Sequence, residues 1–497
     1  MRKSGILLHV SSLNNPYGIG TFGTECYEFI DYLVQSNQKI WEVLPLNQTG
    51  YGDSPYSSCC SYSFNPYFIS PDALVGQGLI DIDELNEYLD NSKTIDYGKL
   101  YNTRFNLLRL AYSRFDKNNS GFRAFLRQGR YKDYALYMTI KSKFDNLPFY
   151  DWDDEYKFRD KDVLSKFAKE NKEELYFWQF VQYEAILEWI MVKGYANANG
   201  VKIIGDMPLY VAYDSVDVWS NPDIFKLDKD LKPTKVAGVP PDYFSKTGQL
   251  WGNPVYDYDV LSKDDFSWWV NRFKESLKYF DYIRIDHFRG FDRYYEIDFG
   301  EETALNGKWV KVPSDALFTA VHKKVSKSKI IAEDLGIIDD GVRDLLKKVG
   351  YPGMRILSFA FDGQPDNLYL PQNIEKNSIC YTGTHDNDTL IGLLESLPIT
   401  DYQTLVTGVI KSLKKLGIKK QVSNDETLAK AIIELGFACK ANTFIIPMQD
   451  VCLLNGEYRM NTPGVEMANW AIKIPDSCFS SKTLSYLKRL TNKYNRA

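Results

Sequence analysis

Histidine is scarce in this chain. Of 497 residues only His9, His287, His322 and His385 carry an imidazole. No His/Cys cluster has metal-ligand spacing, so neither a metal site nor another cofactor is expected. The seven cysteines are odd in number, scattered, and form no CxxC pair. That excludes a disulfide framework and fits free thiols in a reducing cytosol. A basic excess is missing too: 60 Lys and Arg face 65 Asp and Glu, for a net charge of -5. Such a balance argues against a nucleic-acid or anionic-membrane partner. No apolar run is long enough to span a bilayer. Residues 1–10 briefly imitate a secretion signal, but the apolar stretch is short and no small-residue cleavage site follows. The chain is expected to be cytoplasmic. It has no internal repeat, low-complexity segment or charged linker, which favours one domain with insertions over a string of modules.

What is abundant is aromatic. Tyrosine alone occurs 35 times, and Phe, Trp and Tyr make up 15% of the chain. Tyr joins an apolar face to a polar tip, which suits surfaces that stack on sugar rings, although a large core uses it as well.

Eight short apolar runs read as strands: Ser4–His9, Trp41–Leu46, Lys202–Met207, Tyr282–His287, Lys329–Glu333, Arg355–Phe359, Ser378–Thr384 and Thr443–Met448. Alternating with helical stretches, they predict an α/β fold, a (β/α)8 barrel, with mostly helical insertions around its C-terminal face. One insertion is expected at about 70–170, and a second long connection at about 209–265. The helix expected over Glu173–Lys193 places Tyr176, Phe180, Tyr183, Ile186 and Ile190 on one face, with Gly194 and the following Asn197-Ala198-Asn199-Gly200 as its stop.

Acids gather at three successive strand ends. Arg284 and Asp286 alternate onto one side of their strand, and the guanidinium favours an ionised carboxylate able to act as a nucleophile. An ion pair that only pins the strand end reads equally well for this motif alone. Glu333-Asp334 and His385-Asp386 then repeat the pattern. Catalytic groups of a barrel come from such ends, so the recurrence points to one cleft. Asp206 ends the third strand and can accept bonds from sugar hydroxyls. Tyr51, Ser54 and Tyr56 occupy a Gly/Pro-fixed loop. Asp242, Tyr243, Phe244, Gln249 and Trp251 lie in aromatic loops suited to a lid over a groove or to packing on the rim. Asn461 lies in a turn beyond the last strand.

At this point the chain resembles the amylomaltases, also called disproportionating enzymes or 4-α-glucanotransferases, relatives of the α-amylase clan. The resemblance runs from Ser4–His9 to Asn469-Trp470. It is most specific at Gly50–Tyr56, Val236–Ser245, Gly248–Pro254, Arg284–Gly290, Ala332–Gly336 and Thr382–Thr389. It implies retaining transfer of glucan segments from an α-1,4-glucan donor to glucose or a maltooligosaccharide acceptor. It also implies Asp286 as nucleophile, Glu333 as general acid/base and Asp386 as the acid that grips hydroxyls while the ring distorts. Arg284 and His385 match charged partners; Asp206, Gln249, Trp251 and Asn461 match sugar contacts. Tyr51, Ser54 and Tyr56 match an aromatic loop, and Asp242, Tyr243 and Phe244 a mobile one. Two departures concern the acceptor side. Val312-Pro313-Ser314 stands where the family usually has Gly-Pro-Gly, and Ser57 with Cys59-Cys60 where Gln and non-cysteine residues are expected. A hydrolase of the same clan and a non-catalytic glycan-binding barrel remain the rival readings.

Overall fold

The computed structural model describes residues 2–50, 52–241, 245–336, 338–465 and 468–497. Twelve strands are present among them: β1 (Lys3–Leu7), β2 (Ile40–Glu42), β3 (Lys202–Met207), β4 (Lys235–Val239), β5 (Gln249–Pro254), β6 (Tyr282–Ile285), β7 (Arg293–Asp298), β8 (Lys308–Lys311), β9 (Ile330–Ala332), β10 (Gly353–Ile356), β11 (Ser378–Tyr381) and β12 (Thr443–Pro447). Eight form one parallel sheet in the order β10-β11-β12-β1-β2-β3-β6-β9. Ala332 N donates to Pro352 O (3.0 Å) across the seam between β9 and β10, which draws the sheet into a nearly closed barrel. These strands are apolar on both faces because one side fills the barrel and the other meets helices. Trp41 is wholly buried, and its indole donates to Leu8 O at 2.8 Å.

All eight expected strands exist, but most end two or more residues earlier than the apolar runs imply. The acids therefore lie just beyond the last ladder pairs. His287 shows why: its φ of 51° is left-handed, so the strand turns off its axis immediately after Asp286.

Between β2 and β3 the chain runs through the helices Tyr97–Arg114, Ser120–Gln128 and Lys132–Lys143, among shorter ones. Asp96 and Asn119 accept bonds from Lys99 N and Phe122 N and cap the first two. The helix Lys172–Ala198 then returns the chain to the barrel. It differs from expectation in two ways. Gly194 does not stop it, because one helical glycine costs only about 1 kcal/mol against the packing of a 27-residue helix, which ends at Ala198 within the Asn197–Gly200 stretch. Its buried surface is also not the single stripe expected. Phe180 and Ile186 are buried as expected, but so are Leu175, Phe177, Trp178, Val181, Trp189 and Val192, whereas Ile190 is 49% exposed. The inserted helices cover one side and the barrel the other, so the amphipathic pattern is blurred.

A feature not read from the sequence is a second, antiparallel sheet, β5-β4-β7-β8. It has its own small core of Val236, Tyr295, Ile297 and Ala304, with Trp309 packed against it. No helix among the described residues is long and apolar enough to cross a membrane.

Candidate active site

Parallel register builds the site. Asp206 of β3 is paired with Arg284 of β6. On the other flank Ile285 is paired with Ala332 of β9. One step further along both chains stand Asp286 and Glu333, at the ends of neighbouring strands that lie about 4.8 Å apart. Close approach on the β3 side depends on Gly205: a Cβ there would sit 2.3 Å from the Phe280 ring, so any side chain would push β3 away from its packing.

Arg284 is the hub. Its Nη1 lies 2.5 Å from Asp206 Oδ2 and 3.2 Å from Asp286 Oδ1. The guanidinium is buried, and its carboxylate neighbours raise its pKa further, against the opposing effect of burial. Tyr56 donates its hydroxyl to the same Asp206 Oδ2 at 2.6 Å. The other oxygen, Asp206 Oδ1, is buried with no hydrogen-bond partner among the described residues. It is thus free to accept from a hydroxyl brought by a ligand.

Glu333 is held by the backbone. His287 N donates to Oε2 (2.7 Å) and Leu335 N to Oε1 (3.0 Å). The left-handed turn at His287 aims that first N–H. Burial nevertheless raises the Glu333 pKa to about 7, opposed by Arg284 and the two amides. Burial pushes Asp286 up as well. Only Asp286, however, touches the guanidinium and keeps 29% of its side chain exposed to the cleft. The ion pair with Arg284 opposes the rise that burial imposes on Asp286.

Asp386 arrives from the loop after β11. Asn461 Nδ2 donates to Asp386 Oδ1 at 2.7 Å, and His385 Nε2 lies 3.3 Å from the same atom. Burial lowers the His385 pKa, so the ring is neutral at neutral pH. That ring is stacked on Tyr56 with centroids 5.1 Å apart and packs against Trp470. Ser54 plays a supporting part: its Oγ accepts from Tyr56 N at 3.2 Å and shapes the turn that presents the ring. Trp251, 37% exposed, meets the His287 ring edge-on at 4.9 Å, and its indole donates to Gln249 Oε1.

The structure thus brings together Asp206, Arg284, Asp286, Glu333, His385, Asp386, Asn461, Ser54, Tyr56, Gln249 and Trp251. Tyr51, Asp242, Tyr243 and Phe244 lie outside the described residues. Two contributors were not read from the sequence. Arg459 donates through Nη2 to Asp386 O (2.6 Å) and through Nε to Asn461 O (2.8 Å), fixing both loops. Below the cleft, buried Glu42 accepts from the Tyr381 hydroxyl at 2.8 Å. Burial, resisted by Arg284, raises its pKa to about 7. Arg459 stands two residues before Asn461, a visible if weak signal; Glu42 inside an apolar run gives none.

The Tyr56 bond yields a testable expectation. Tyr56→Phe keeps the ring on His385 but removes one donor to Asp206. A net loss of about 1.4 kcal/mol, or about tenfold in kcat/KM, is expected. Steady-state kinetics with maltotriose checks it, and a change below twofold would show that Asp206 is held by Arg284 alone.

Comparison with known proteins agrees with the geometry. A family model described as 4-alpha-glucanotransferase matches residues 8–478. The chain is 44% identical over 495 residues to the 4-alpha-glucanotransferase of Clostridium butyricum, covering 98% of this chain and 100% of that relative. It is 41% identical over 500 residues to the 4-alpha-glucanotransferase of Aquifex aeolicus, covering 100% of both. The solved amylomaltase from Streptococcus agalactiae in complex with acarbose aligns over 100% of both chains, with a TM-score of 0.94 at 36% identity. The amylomaltase from Corynebacterium glutamicum, at 18% identity, aligns over 100% of this chain and 75% of that one, with a TM-score of 0.82; it shows the shared fold.

Proposed function

This chain belongs to the 4-alpha-glucanotransferase family, and from that premise we propose how its cleft moves a segment of one α-1,4-glucan to the 4-hydroxyl of another. Asp286 attacks the anomeric carbon while the bond from that carbon to the glycosidic oxygen breaks. Glu333 gives its proton to the departing oxygen, releasing the shortened donor. The segment is then held on Asp286 as an ester. An acceptor 4-hydroxyl loses its proton to Glu333 and attacks the same carbon, and the Asp286 carboxylate leaves. Two inversions give net retention.

The observation that carries this reading is the position of Arg284. It contacts Asp286 directly, while Glu333 on the next strand is held by backbone amides and has its pKa raised by burial. A retaining pair needs one ionised and one protonated carboxyl in close reach. Asp386, held by Asn461, is assigned to the sugar hydroxyls, where its grip tightens as the ring distorts. Asp206 Oδ1 offers a second acceptor. Gln249, Trp251 and Tyr56 supply contacts along the groove. Asp242, Tyr243 and Phe244 are assigned to a lid that keeps water from the ester. The seven cysteines are all free thiols, which supports a cytoplasmic setting.

The test is maltotriose as sole substrate. A ladder of shorter and longer sugars is expected. Short products alone would make the protein a hydrolase, and no change would make it a binder.

A pH expectation follows from Glu333. Its proton is needed to form the ester from a glucan, so kcat/KM should fall as pH rises through about 7. With α-maltosyl fluoride, whose leaving group needs no proton, the glycosylation step should lack that alkaline limb. A limb shared by both substrates would assign the titration to another group.

A further inference from the structure

Asp450 is a buried acid that the reaction sequence above does not use. It sits in the short helix Met448–Cys452 that follows β12, and only 2% of it is exposed. It is bonded by two neutral donors, faces the carboxylate of Asp388, and meets no cation among the described residues. Burying a carboxylate away from any cation is costly. What this one provides is two acceptor oxygens on one short side chain.

Those oxygens hold the two ends of a single loop. Thr382 Oγ1 donates to Asp450 Oδ2 at 2.5 Å, and Leu390 N donates to Oδ1 at 2.7 Å. Thr382 comes one residue after β11 ends, and Leu390 opens the helix Leu390–Ser396. His385 and Asp386 lie between them. The loop is braced inside, where Asn387 Oδ1 accepts from Thr384 N at 2.8 Å. A braced loop anchored at both ends on one side chain moves as a body when that anchor is lost.

Its tip is held from the same strand. Gln449, next to Asp450, donates to Tyr458 O at 3.4 Å, beside Arg459. Arg459 and Asn461 then hold Asp386, and Asn461 N donates to His385 O at 3.1 Å. Base and tip touch through backbone: a Cβ on Gly392 would stand 2.7 Å from Gly456 Cα. The helix after the loop and the turn leading into Arg459 therefore pack without intervening side chains.

We propose that Asp450 is a positioning residue for the transfer reaction: by pinning both ends of the 382–390 loop, it sets the reach of Asp386 toward the sugar. This rests on the role of Asp386 proposed above. Asp450 touches no reacting atom, and its effect passes through Asp386. Since the grip of Asp386 tightens as the ring distorts, a displaced Asp386 costs the transition state more than the bound substrate.

The test compares full-length variants whose fold is checked by circular dichroism. Thr382→Val removes one anchor and should lower kcat for maltotriose disproportionation about tenfold, with KM within about twofold of the parent. Asp450→Ala removes both and should lower kcat about a hundredfold, as a misplaced group does; if it does not fold, Thr382→Val decides. Fluoride release from α-maltosyl fluoride should fall by the same factors, since the loss does not pass through the Glu333 proton. In an Asp386→Asn background, Thr382→Val should change that release by less than about twofold, because the group it positions is already gone. A folded Thr382→Val with the parent kcat, or a loss that multiplies with that of Asp386→Asn as a general weakening of the fold would, overturns the role of Asp450 and leaves that of Asp386 standing. If Asp386→Asn alone keeps the parent rate, both fall.

Discussion

Asp286→Asn is expected to remove at least about a thousandfold of the transfer activity, because the amide cannot form or release the glycosyl ester. The fold should survive. Asp286 is partly exposed, and Asn keeps an oxygen that can accept from Arg284 Nη1, now 3.2 Å from Oδ1. Circular dichroism and the unfolding midpoint should therefore stay near those of the parent while maltotriose disproportionation disappears. More than a few per cent of the parent rate in a folded variant would remove Asp286 from the nucleophile's place. The register argument would then leave Glu333 and Asp386 to be reconsidered.

Glu333→Gln should separate the two half-reactions. A sugar alkoxide needs a proton to leave and fluoride does not, so the variant should lose glucan transfer by about a hundredfold or more. It should still react with α-maltosyl fluoride. Glycosylated protein then accumulates, since the incoming hydroxyl has no base to take its proton. Intact-mass spectrometry reads the adduct, and peptide mapping should place it on the segment containing Asp286. An adduct on Asp386, or normal maltotriose chemistry in Glu333→Gln, would redistribute the roles. The amide also tests the hold on this position. Its NH2 cannot accept from His287 N or Leu335 N, which the two carboxylate oxygens do now, so some loss of order at the turn is expected even in the fluoride reaction.

Much of this site is legible in the sequence. The spacing of Arg284 and Asp286 places both on one side of a strand, and the ion pair at 3.2 Å is the consequence. Asp206 was legible in the same way, as an acid closing an apolar run. The arrangement of the long helix was less legible. Of the expected stripe, Phe180 and Ile186 are buried and Tyr176 and Tyr183 half-buried, but Ile190 is exposed, and Leu175, Trp178 and Val192 are buried outside it. Periodicity reports a helix with one wet face, and this one is covered on two. Glu42 was invisible for a related reason: a single acid in an apolar run looks like an interruption until the barrel closes and sets Tyr381 above it.

The sequence by itself determined which eight runs form the barrel strands, which of their ends carry acids, and the family to which the chain belongs. Those properties are local or are carried by contiguous motifs. Tertiary structure alone decided how far each acid is desolvated: burial raises the pKa of both Asp286 and Glu333. Arg284 contacts Asp206 and Asp286 but holds no such contact with Glu333, and burial lifts Glu333 to about 7. It also decided that strands β4, β5, β7 and β8, from two separate stretches of chain, make one antiparallel sheet beside the cleft. Desolvation and long-range pairing depend on what the rest of the chain places nearby, and no local pattern of residues encodes that.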